Sequence, residues 1–434
     1  MAELRSRPDM KSRPGLDPAK DAALLLQRMG FFTLGVALPV SAMVSRRAAV
    51  VLVPIGVALL VIAAVLSEPE RFVRALKRRS LRATALLLAL LVGWGMLSAT
   101  WAPRGVAGFD RVLNMLFAFA AGVLALSALP DRMRAANLNA LAVGAGVATI
   151  VAAMMQVTGY GLGDAEDDVT VVVRGLATLI VFAGPLIAWL LSRGRTRGAL
   201  ALFGAVAAVT ASTADIILIA ALGAGSLAFA LAAVSPARIA ARSAALLGLV
   251  VVCAPLMPWI ARVLAPLVPA PALAVAEGFQ AWGTIIAKAP IKLLTGHGFG
   301  AYNLQRITTT DLAPLPSSVI VEIWHDLGFV GALAFAAALW LAVRATRALP
   351  QIVQAGAISA YVAAFSLGLL GLAGIRAWWL MTLVAAMIVT TAVARGQART
   401  DRPLARFVRR ETPDEMNSGH VRPTLAGRPD NHQG

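Results

Sequence analysis

The stretch from Lys288 to Gly331 reads KAPIKLLTGHGFGAYNLQRITTTDLAPLPSSVIVEIWHDLGFVG and joins a polar, glycine-bearing loop to the start of an apolar helix. Most of the remaining sequence consists of apolar runs connected by short loops. The helix that follows the polar loop carries Glu322, His325 and Asp326. Ionisable side chains are costly inside a bilayer, so they indicate a functional site where they occur. This stretch therefore predicts where the function resides, and the apolar runs around it predict the fold.

Composition indicates an integral membrane protein. With 59% hydrophobic residues and a mean hydropathy of +0.77, the chain is too apolar for a soluble domain and is predicted to be an all-α polytopic membrane protein. The formal net charge of +17 comes from basic residues at the two ends and in short loops, where Lys and Arg set membrane topology. Aromatic residues are not interleaved with them, which argues against nucleic acid as a partner. The single cysteine, Cys253, excludes a disulfide framework and a thiolate metal site.

Apolar runs long enough to cross a bilayer predict about twelve transmembrane helices within a domain spanning residues 29–394. A helix needs about 20 apolar residues for a hydrocarbon core of roughly 30 Å. The predicted spans are 29–45, 49–66, 83–101, 110–129, 136–157, 176–192, 198–212, 215–234, 244–266, 318–343, 352–374 and 377–394. Basic loops alternate between them, which places both termini in the cytoplasm. Residues 1–28 and 395–434 are polar and basic and are predicted to be disordered cytoplasmic tails, the first without the cleavage pattern of a signal peptide.

The segment 267–317, between the ninth and tenth spans, is predicted to be a long periplasmic loop. Residues 274–289 place Phe279, Trp282, Ile285 and Ile286 on one face at helical spacing. We expect this segment to form an amphipathic helix that rests on the membrane surface or on the bundle.

Three stretches resemble motifs of the O-antigen ligase and polymerase superfamily. Leu97–Pro103 (LSATWAP) is similar to the end of an early helix in that family. Pro290–Gly300 (PIKLLTGHGFG) is similar to its proline- and glycine-containing turn. Ser318–Gly331 (SVIVEIWHDLGFVG) resembles its tenth-helix motif, with Asp326 where a glutamate is usual. Twelve spans with a long loop between the ninth and tenth match the architecture of the same family.

The resemblance implies glycosyl transfer at the periplasmic face of the bacterial inner (cytoplasmic) membrane. The donor would be an undecaprenyl-diphosphate-linked glycan, and the acceptor a sugar hydroxyl on lipid A–core or on a growing polysaccharide. Such enzymes are taken to work without a metal ion or nucleotide cofactor, using arginines to hold the diphosphate and a histidine near the acceptor. The oligomeric state is left open.

The chain also departs from the family pattern. Pro316–Ser318 stands where the family has a histidine, Thr213 stands where it has an arginine, and no arginine lies near Gly278. Arg174 matches the arginine–glycine start of the sixth span, since Gly175 follows it. The chain therefore resembles the family more fully in its scaffold than in its catalytic residues.

Cationic side chains are the candidate ligands of a diphosphate. Arginine suits this role because its planar fork is bidentate and remains charged. The substrate-binding candidates are Arg174, at the predicted outer end of the sixth span, and Arg306, in the outer loop. Lys288 and Lys292 flank the turn and would meet phosphate as point charges. The alternative for Arg174 is an interface anchor, and for the lysines ordinary surface solvation.

Two histidines are the catalytic candidates, because imidazole titrates in the range that a general base requires. His297 lies between two glycines, which would allow the backbone to approach a substrate closely. His325 lies in the tenth span, and Glu322, a substrate-binding candidate, can share a helix face with His325 and Asp326. The alternatives are a His297 bonded to its own turn and a helix–helix hydrogen-bond network around His325.

Two other functions remain open. The first is a non-catalytic relative that acts as a scaffold or accessory subunit in polysaccharide assembly or export, which the departures favour. The second is a transporter or flippase, which would predict repeated broken helices in matching halves. The sequence has no convincing internal repeat.

Overall fold

The computed structural model describes residues 18–103, 105–159, 165–267, 270–308, 315, 318–372 and 374–396, without the side chains of 105–107, 165–170, 270–272 and 306–308. Within these ranges every regular element is a helix. The first nine are α1 (Pro18–Phe32), α2 (Leu38–Ala42), α3 (Ala48–Ser67), α4 (Pro69–Ser80), α5 (Ala83–Ala99), α6 (Gly105–Ala128), α7 (Ala135–Thr158), α8 (Ala165–Ser192) and α9 (Thr196–Ser212). The other nine are α10 (Ile216–Val234), α11 (Pro236–Val252), α12 (Met257–Leu264), α13 (Ala270–Lys288), α14 (Lys292–Thr295), α15 (Ala301–Thr308), α16 (Val319–Ala345), α17 (Gln351–Leu370) and α18 (Ala377–Gly396).

The all-α membrane fold predicted from the composition is confirmed. In the described residues, nine helices are long and apolar enough to cross a membrane, or up to eleven when each of two bent helix pairs counts as one span. One further apolar helix, α9, has 17 residues. Large apolar side chains such as Leu86, Phe117 and Ile150 are more than half exposed, which suits a surface that faces lipid.

Several helix boundaries differ from the predicted spans. The first helix begins at Pro18, so residues 18–28, which composition assigned to the disordered tail, are helical. A single turn of π-helix, Thr33–Ala37, connects α1 to α2. The predicted span 244–266 is instead α11 and a bent continuation, Ala254–Leu267, which meet at 61°. The bend follows Cys253, where Pro255 and Pro258 begin new helical segments because proline is accommodated in a first helical turn.

The helices pack closely where glycines face each other. A Cβ atom on Gly144 of α7 would lie 2.0 Å from the carbonyl oxygen of Gly35, in the π-helical turn. A Cβ atom on Gly356 of α17 would lie 2.7 Å from the carbonyl oxygen of Gly184 in α8. Small residues let membrane helices approach this closely, and van der Waals packing rather than the hydrophobic effect then holds them together.

The predicted amphipathic helix is present as α13 and packs on the bundle. Phe279, Trp282 and Ile285 are buried in one apolar cluster with residues of α11 and α16. Trp324 of α16 belongs to the same cluster and donates a 2.7 Å hydrogen bond from Nε1 to the carbonyl oxygen of Val251. Helix α13 is thereby attached to the rest of the bundle next to the polar part of α16.

Candidate functional site

The site is centred on a break in α16. Gly328 has φ +63° and ψ −158°, which interrupts the helix after its first nine residues. The carbonyl groups before a break lose their partners within the helix and must be satisfied elsewhere. The carbonyl of His325 accepts from His297 N (2.8 Å), that of Asp326 from Gly298 N (3.1 Å), and that of Leu327 from Trp94 Nε1 (2.9 Å). The loop of residues 295–300 (TGHGFG), called the glycine loop below, and α5 therefore hold the broken helix in place.

The three glycines of TGHGFG are needed for contact with the protein's own backbone, whereas the sequence suggested contact with a substrate. Gly296, Gly298 and Gly300 have φ values of +77°, +97° and +91°, which side chains rarely tolerate. A Cβ atom would lie 2.2 Å from the Asp326 carbonyl oxygen at Gly296 and 2.6 Å from Ala102 Cα at Gly298. The loop is thus wedged between α16 and the end of α5.

Asp326 organises this loop. Its Oδ2 accepts from Gly300 N (2.7 Å) and its Oδ1 from Tyr302 N (2.8 Å), so the carboxylate caps the start of α15 from another helix. Oδ1 also lies 3.0 Å from His325 Nδ1. A carboxylate at a helix N-terminus satisfies free N–H groups and interacts favourably with the helix dipole. Asp326 therefore has a positioning role here.

His325 and His297 are stacked at the centre of the site. Their ring centroids are 4.1 Å apart and their planes differ by 8°. His325 is buried and both of its ring nitrogens have partners, Asp326 Oδ1 at 3.0 Å and Gln305 Oε1 at 2.8 Å. The hydrogen-bond network that the sequence offered as the alternative for His325 is therefore present.

His297 presents its other nitrogen for chemistry. Its Nδ1 lies 3.1 Å from the carbonyl oxygen of His325, and a carbonyl oxygen accepts, so Nδ1 carries the proton of the neutral ring. Nε2 is then the basic nitrogen, and within the described part of the chain it has no hydrogen-bond partner. Partial burial lowers the pKa of His297 below its ordinary value of 6.5, and the neighbouring His325 contributes in the same direction. His297 is thereby kept neutral near pH 7.

Glu322 connects α16 to the turn before α18. The side chain is 4% exposed, and its Oε2 accepts a hydrogen bond from Ile375 N. A Cβ atom on Gly374 would lie 2.7 Å from the same oxygen, so the carboxylate fits directly against the turn. Arg376 N in turn bonds the Gly374 carbonyl oxygen at 2.8 Å. Glu322 therefore fixes the backbone that carries Arg376.

Arginines gather around this end of the bundle. Arg376 and Arg46 lie close enough to Arg174 for their charges to act on it, and Arg111 and Arg376 stand in the same relation to Glu322. The Arg174 guanidinium lies over the Trp378 ring, with Cζ 5.3 Å from the centroid. No carboxylate of the described chain lies within 4 Å of Arg111, Arg174 or Arg376. Three arginines without a carboxylate in range among the described residues make this a site suited to a polyanion.

The indole of Trp378, next to these arginines, provides a further hydrogen-bond donor. Trp378 Nε1 is buried and has no hydrogen-bond partner in the described residues, although the side chain contacts Arg174. A buried donor without a partner is unfavourable unless a ligand supplies an acceptor. The arginine cluster and this indole together can accommodate an oxygen-rich anion.

The remaining candidates are placed less centrally. Lys288 and Lys292 are exposed, and the charge of Lys292 acts on His297. Arg306 belongs to α15, but its side chain lies outside the described residues. The ranges that the structure describes contain no cluster of three His, Cys, Asp or Glu side chains arranged to hold a metal ion.

Sequence reasoning missed Arg376, Arg111 and Gln305. A signal for Arg376 was available, because the predicted topology places the segment between the last two spans outside, where arginine is disfavoured by the positive-inside rule. Arg111 follows Asp110 at the start of a predicted span, and this pattern is typical of an ordinary pair of charged residues at the membrane interface. No sequence pattern distinguishes Gln305, because its role depends on how α15 packs against α16.

Searches against protein-family models, curated proteins and solved structures give no match for this chain. The functional assignment therefore rests on the geometry of the site.

Proposed function

We propose that the protein transfers a glycan from an undecaprenyl-diphosphate-linked donor to a sugar hydroxyl, in the manner of an O-antigen ligase or polymerase. The observation that carries the proposal is the convergence of Arg111, Arg174 and Arg376 on the same end of the bundle as His297. Within the described residues, none of the three arginines pairs with a carboxylate. A leaving diphosphate needs cations such as these arginines, and an acceptor hydroxyl needs a base such as His297.

The meeting of the three resemblance motifs supports the same proposal. Leu97–Pro103 contacts the glycine loop, since a Cβ on Gly298 would touch Ala102. The glycine loop is bonded to the carbonyl groups that precede the break in α16. Segments about 190 and 25 residues apart in the sequence thus build one site. A family whose chemistry depends on these motifs is expected to bring them together.

The proposed reaction uses His297 as the general base. Its Nε2 removes the proton of the acceptor hydroxyl while that oxygen attacks the anomeric carbon of the donor. The bond between the anomeric carbon and the diphosphate oxygen breaks, and undecaprenyl diphosphate leaves with the electron pair. The arginines stabilise the negative charge that develops on the leaving oxygen. The proton on His297 then passes to solvent.

The proposal includes topology and location. Twelve spans, with α9 and each bent helix pair included, would place both termini in the cytoplasm and the site at the periplasmic face of a bacterial inner membrane. Lipid-linked donors of this class would reach the arginines from the surrounding bilayer.

The second candidate is a non-catalytic scaffold or accessory subunit in polysaccharide assembly. It is favoured by one observation, namely that Glu322, His325 and Asp326 all make hydrogen bonds that stabilise the protein's own backbone or side chains. Such a protein would retain the network without needing the arginines.

Surface glycans of a host strain lacking the gene test the two functions against each other. The strain is complemented with the unchanged protein, with Arg376→Ala, with Arg174→Ala, or with Arg197→Ala as a matched control from the other end of the bundle. All are checked for equal membrane expression. Transferase activity predicts that the unchanged protein and Arg197→Ala restore the glycan ladder while the site variants do not. Restoration by every variant would favour the scaffold, and an unchanged ladder on deletion would refute both roles for that glycan.

A further inference from the structure

A second cationic site lies at the opposite end of the bundle. Arg376 precedes α18 and Arg395 lies in its last turn, and 20 helical residues span about 30 Å. Arg395 borders a cavity of 840 Å³ between α4, the end of α6 and the end of α18. The cavity is lined by five arginines and three carboxylates, namely Arg71, Arg74, Arg78, Arg79, Arg395, Glu68, Glu70 and Asp131.

Two of the five arginines serve the protein itself. Arg71 pairs with Glu68 (3.1 Å) and Asp131 (3.0 Å) and also donates to the Leu129 carbonyl oxygen at 3.1 Å. Arg395 donates to the carbonyl oxygens of Leu129 and Pro130. These contacts close the loop after α6 and account for two of the three carboxylates.

Three arginines remain without an acidic partner. Arg74, Arg78 and Arg79 have no carboxylate within 4 Å in the described residues. Arg79 is the most constrained, because its Nε is buried without a hydrogen-bond partner in the described part of the chain. The like charges of Arg395, Arg82 and Arg78 each act on it more strongly than the opposite charge of Asp131. A partly buried guanidinium surrounded by cations is unfavourable unless an anion joins it.

We propose that this cavity binds a phosphate group, which in the membrane belongs to the headgroup of an anionic phospholipid. Phosphate oxygens accept paired hydrogen bonds from arginine, which would satisfy Arg79 and offset the repulsion around it. Basic pockets between transmembrane helices are recognised sites for anionic headgroups. This inference is independent of the proposed transfer reaction.

The geometry of α4 favours a lipid as the source of the phosphate. This helix is bent by 67° from α5, so it crosses the end of the bundle instead of continuing the span. Phe72 is buried and Leu76 packs on the core, while Val73 and Leu81 are 60% and 64% exposed. Apolar side chains at the level of a row of arginines are typical of a helix lying in the membrane interface.

Native mass spectrometry of the full-length protein in detergent tests the proposal. After delipidation, the protein is titrated with phosphatidylglycerol, with phosphatidylcholine as the neutral-headgroup control, and with inorganic phosphate as the soluble source. We expect preferential binding of phosphatidylglycerol, weakened about fivefold in R78Q and more than tenfold in the R78Q/R79Q double variant, from about 1 kcal/mol per basic residue. Arg197→Gln, an exposed arginine outside the cavity, should bind as the unchanged protein does.

The outcomes separate the sources. Loss of phosphatidylglycerol preference in the cavity variants supports a lipid site, and loss of inorganic phosphate binding alone supports a phosphate site with a soluble ligand. Equal binding of phosphatidylglycerol and phosphatidylcholine by the unchanged protein, without phosphate binding, would overturn the proposal. If the double variant does not fold, R78Q and Arg74→Gln decide, because Arg78 and Arg74 are both exposed. Unchanged phosphatidylglycerol affinity in both of these variants would also refute the proposal.

Discussion

At the scale of single residues, the site separates groups that hold structure from one group that remains available for chemistry. Asp326 and His325 have every polar atom of their side chains engaged, and Glu322 is bonded to the turn at Ile375. His297 shares their environment but retains a basic nitrogen. A stacked, neutral imidazole is suited to proton removal when a carbonyl oxygen holds its protonated nitrogen, because the other nitrogen is then free to act as the base.

His297 predicts an acid limb in the activity profile. Its pKa is below the ordinary 6.5, so the neutral, basic form predominates at pH 7 and is lost as the pH falls through the lowered value. Transfer measured in proteoliposomes should therefore be level near neutrality and decline only below pH 6.5. His297→Ala should reduce the rate by about 10²–10⁴-fold and remove that limb. A full-rate His297→Ala protein with the same profile would exclude His297 as the base.

Removing the charge of Asp326 is expected to lower the stability of the protein. Asp326→Asn keeps the size of the side chain but removes the charge that caps α15 and pairs with His325. Hydrogen bonds to a charged group contribute about 1.5–3 kcal/mol each, so we expect a clearly lowered thermal midpoint in detergent. Asp215→Asn, which alters the N-cap of α10 away from the site, is the comparison. If both variants lose the same stability, the site network adds nothing beyond an ordinary cap.

At the scale of elements, one break in a helix creates the site. A continuous α16 would keep the carbonyl groups of residues 325–327 within the helix, and the glycine loop would have nothing to bond. The positive φ of Gly328 frees them, and the loop and α5 then bond them from outside. The break is therefore as important for the site as the titratable residues.

The break predicts strict intolerance at Gly328. A Cβ there would lie 2.6 Å from Gly296 N, in a backbone conformation that alanine rarely adopts. Gly328→Ala should cost about 1–3 kcal/mol of stability and displace the glycine loop. Gly93→Ala in α5 is the matched control, because no atom lies within 4 Å of its added Cβ. Thermal unfolding should distinguish them, and equal midpoints would contradict the described conformation at Gly328.

At the scale of the whole molecule, the two arginine clusters lie at opposite ends of the same helices. Arg174 and Arg376 belong to one end, and Arg79 and Arg395 to the other, with α18 connecting them. The first cluster surrounds ionisable residues at a helix break, whereas the second lies beside an interfacial helix. If both proposals hold, the protein binds phosphate groups at both ends of the bundle, with the transfer reaction at one end and a lipid headgroup at the other.

The proposed topology predicts which loops are accessible from each side. In a Cys253→Ala background, Ser45→Cys should react with a membrane-impermeant maleimide in intact cells with a permeabilised outer membrane. Ser80→Cys should react only after the inner membrane is disrupted. Both serines lie at the ends of helices, and Ser80 is exposed. Labelling of Ser80→Cys before disruption would reverse the orientation and place the arginines around Arg376 in the cytoplasm.

Much of the fold was predictable because a bilayer imposes simple rules on sequence. Long apolar runs such as those of α3 and α10 must be helices, since no other isolated segment satisfies its backbone in lipid. The amphipathic stripe of α13 was equally clear from Phe279, Trp282 and Ile285. The bends at Cys253 and Gly328 were not predictable, because local residues permit a bend while neighbouring helices determine whether it occurs.

The sequence by itself determined the all-helical membrane fold and the presence of costly ionisable residues near Gly296–Gly300 and in α16. Both follow from hydropathy and composition, which depend on nothing outside each segment. Tertiary structure alone decided that Arg111, Arg174 and Arg376 converge and that His325 is fully engaged while His297 is not. It also decided that the partly buried Arg79 lies close to Arg395, Arg78 and Arg82. These are relations between segments far apart in the chain, and only packing brings their side chains within range of one another.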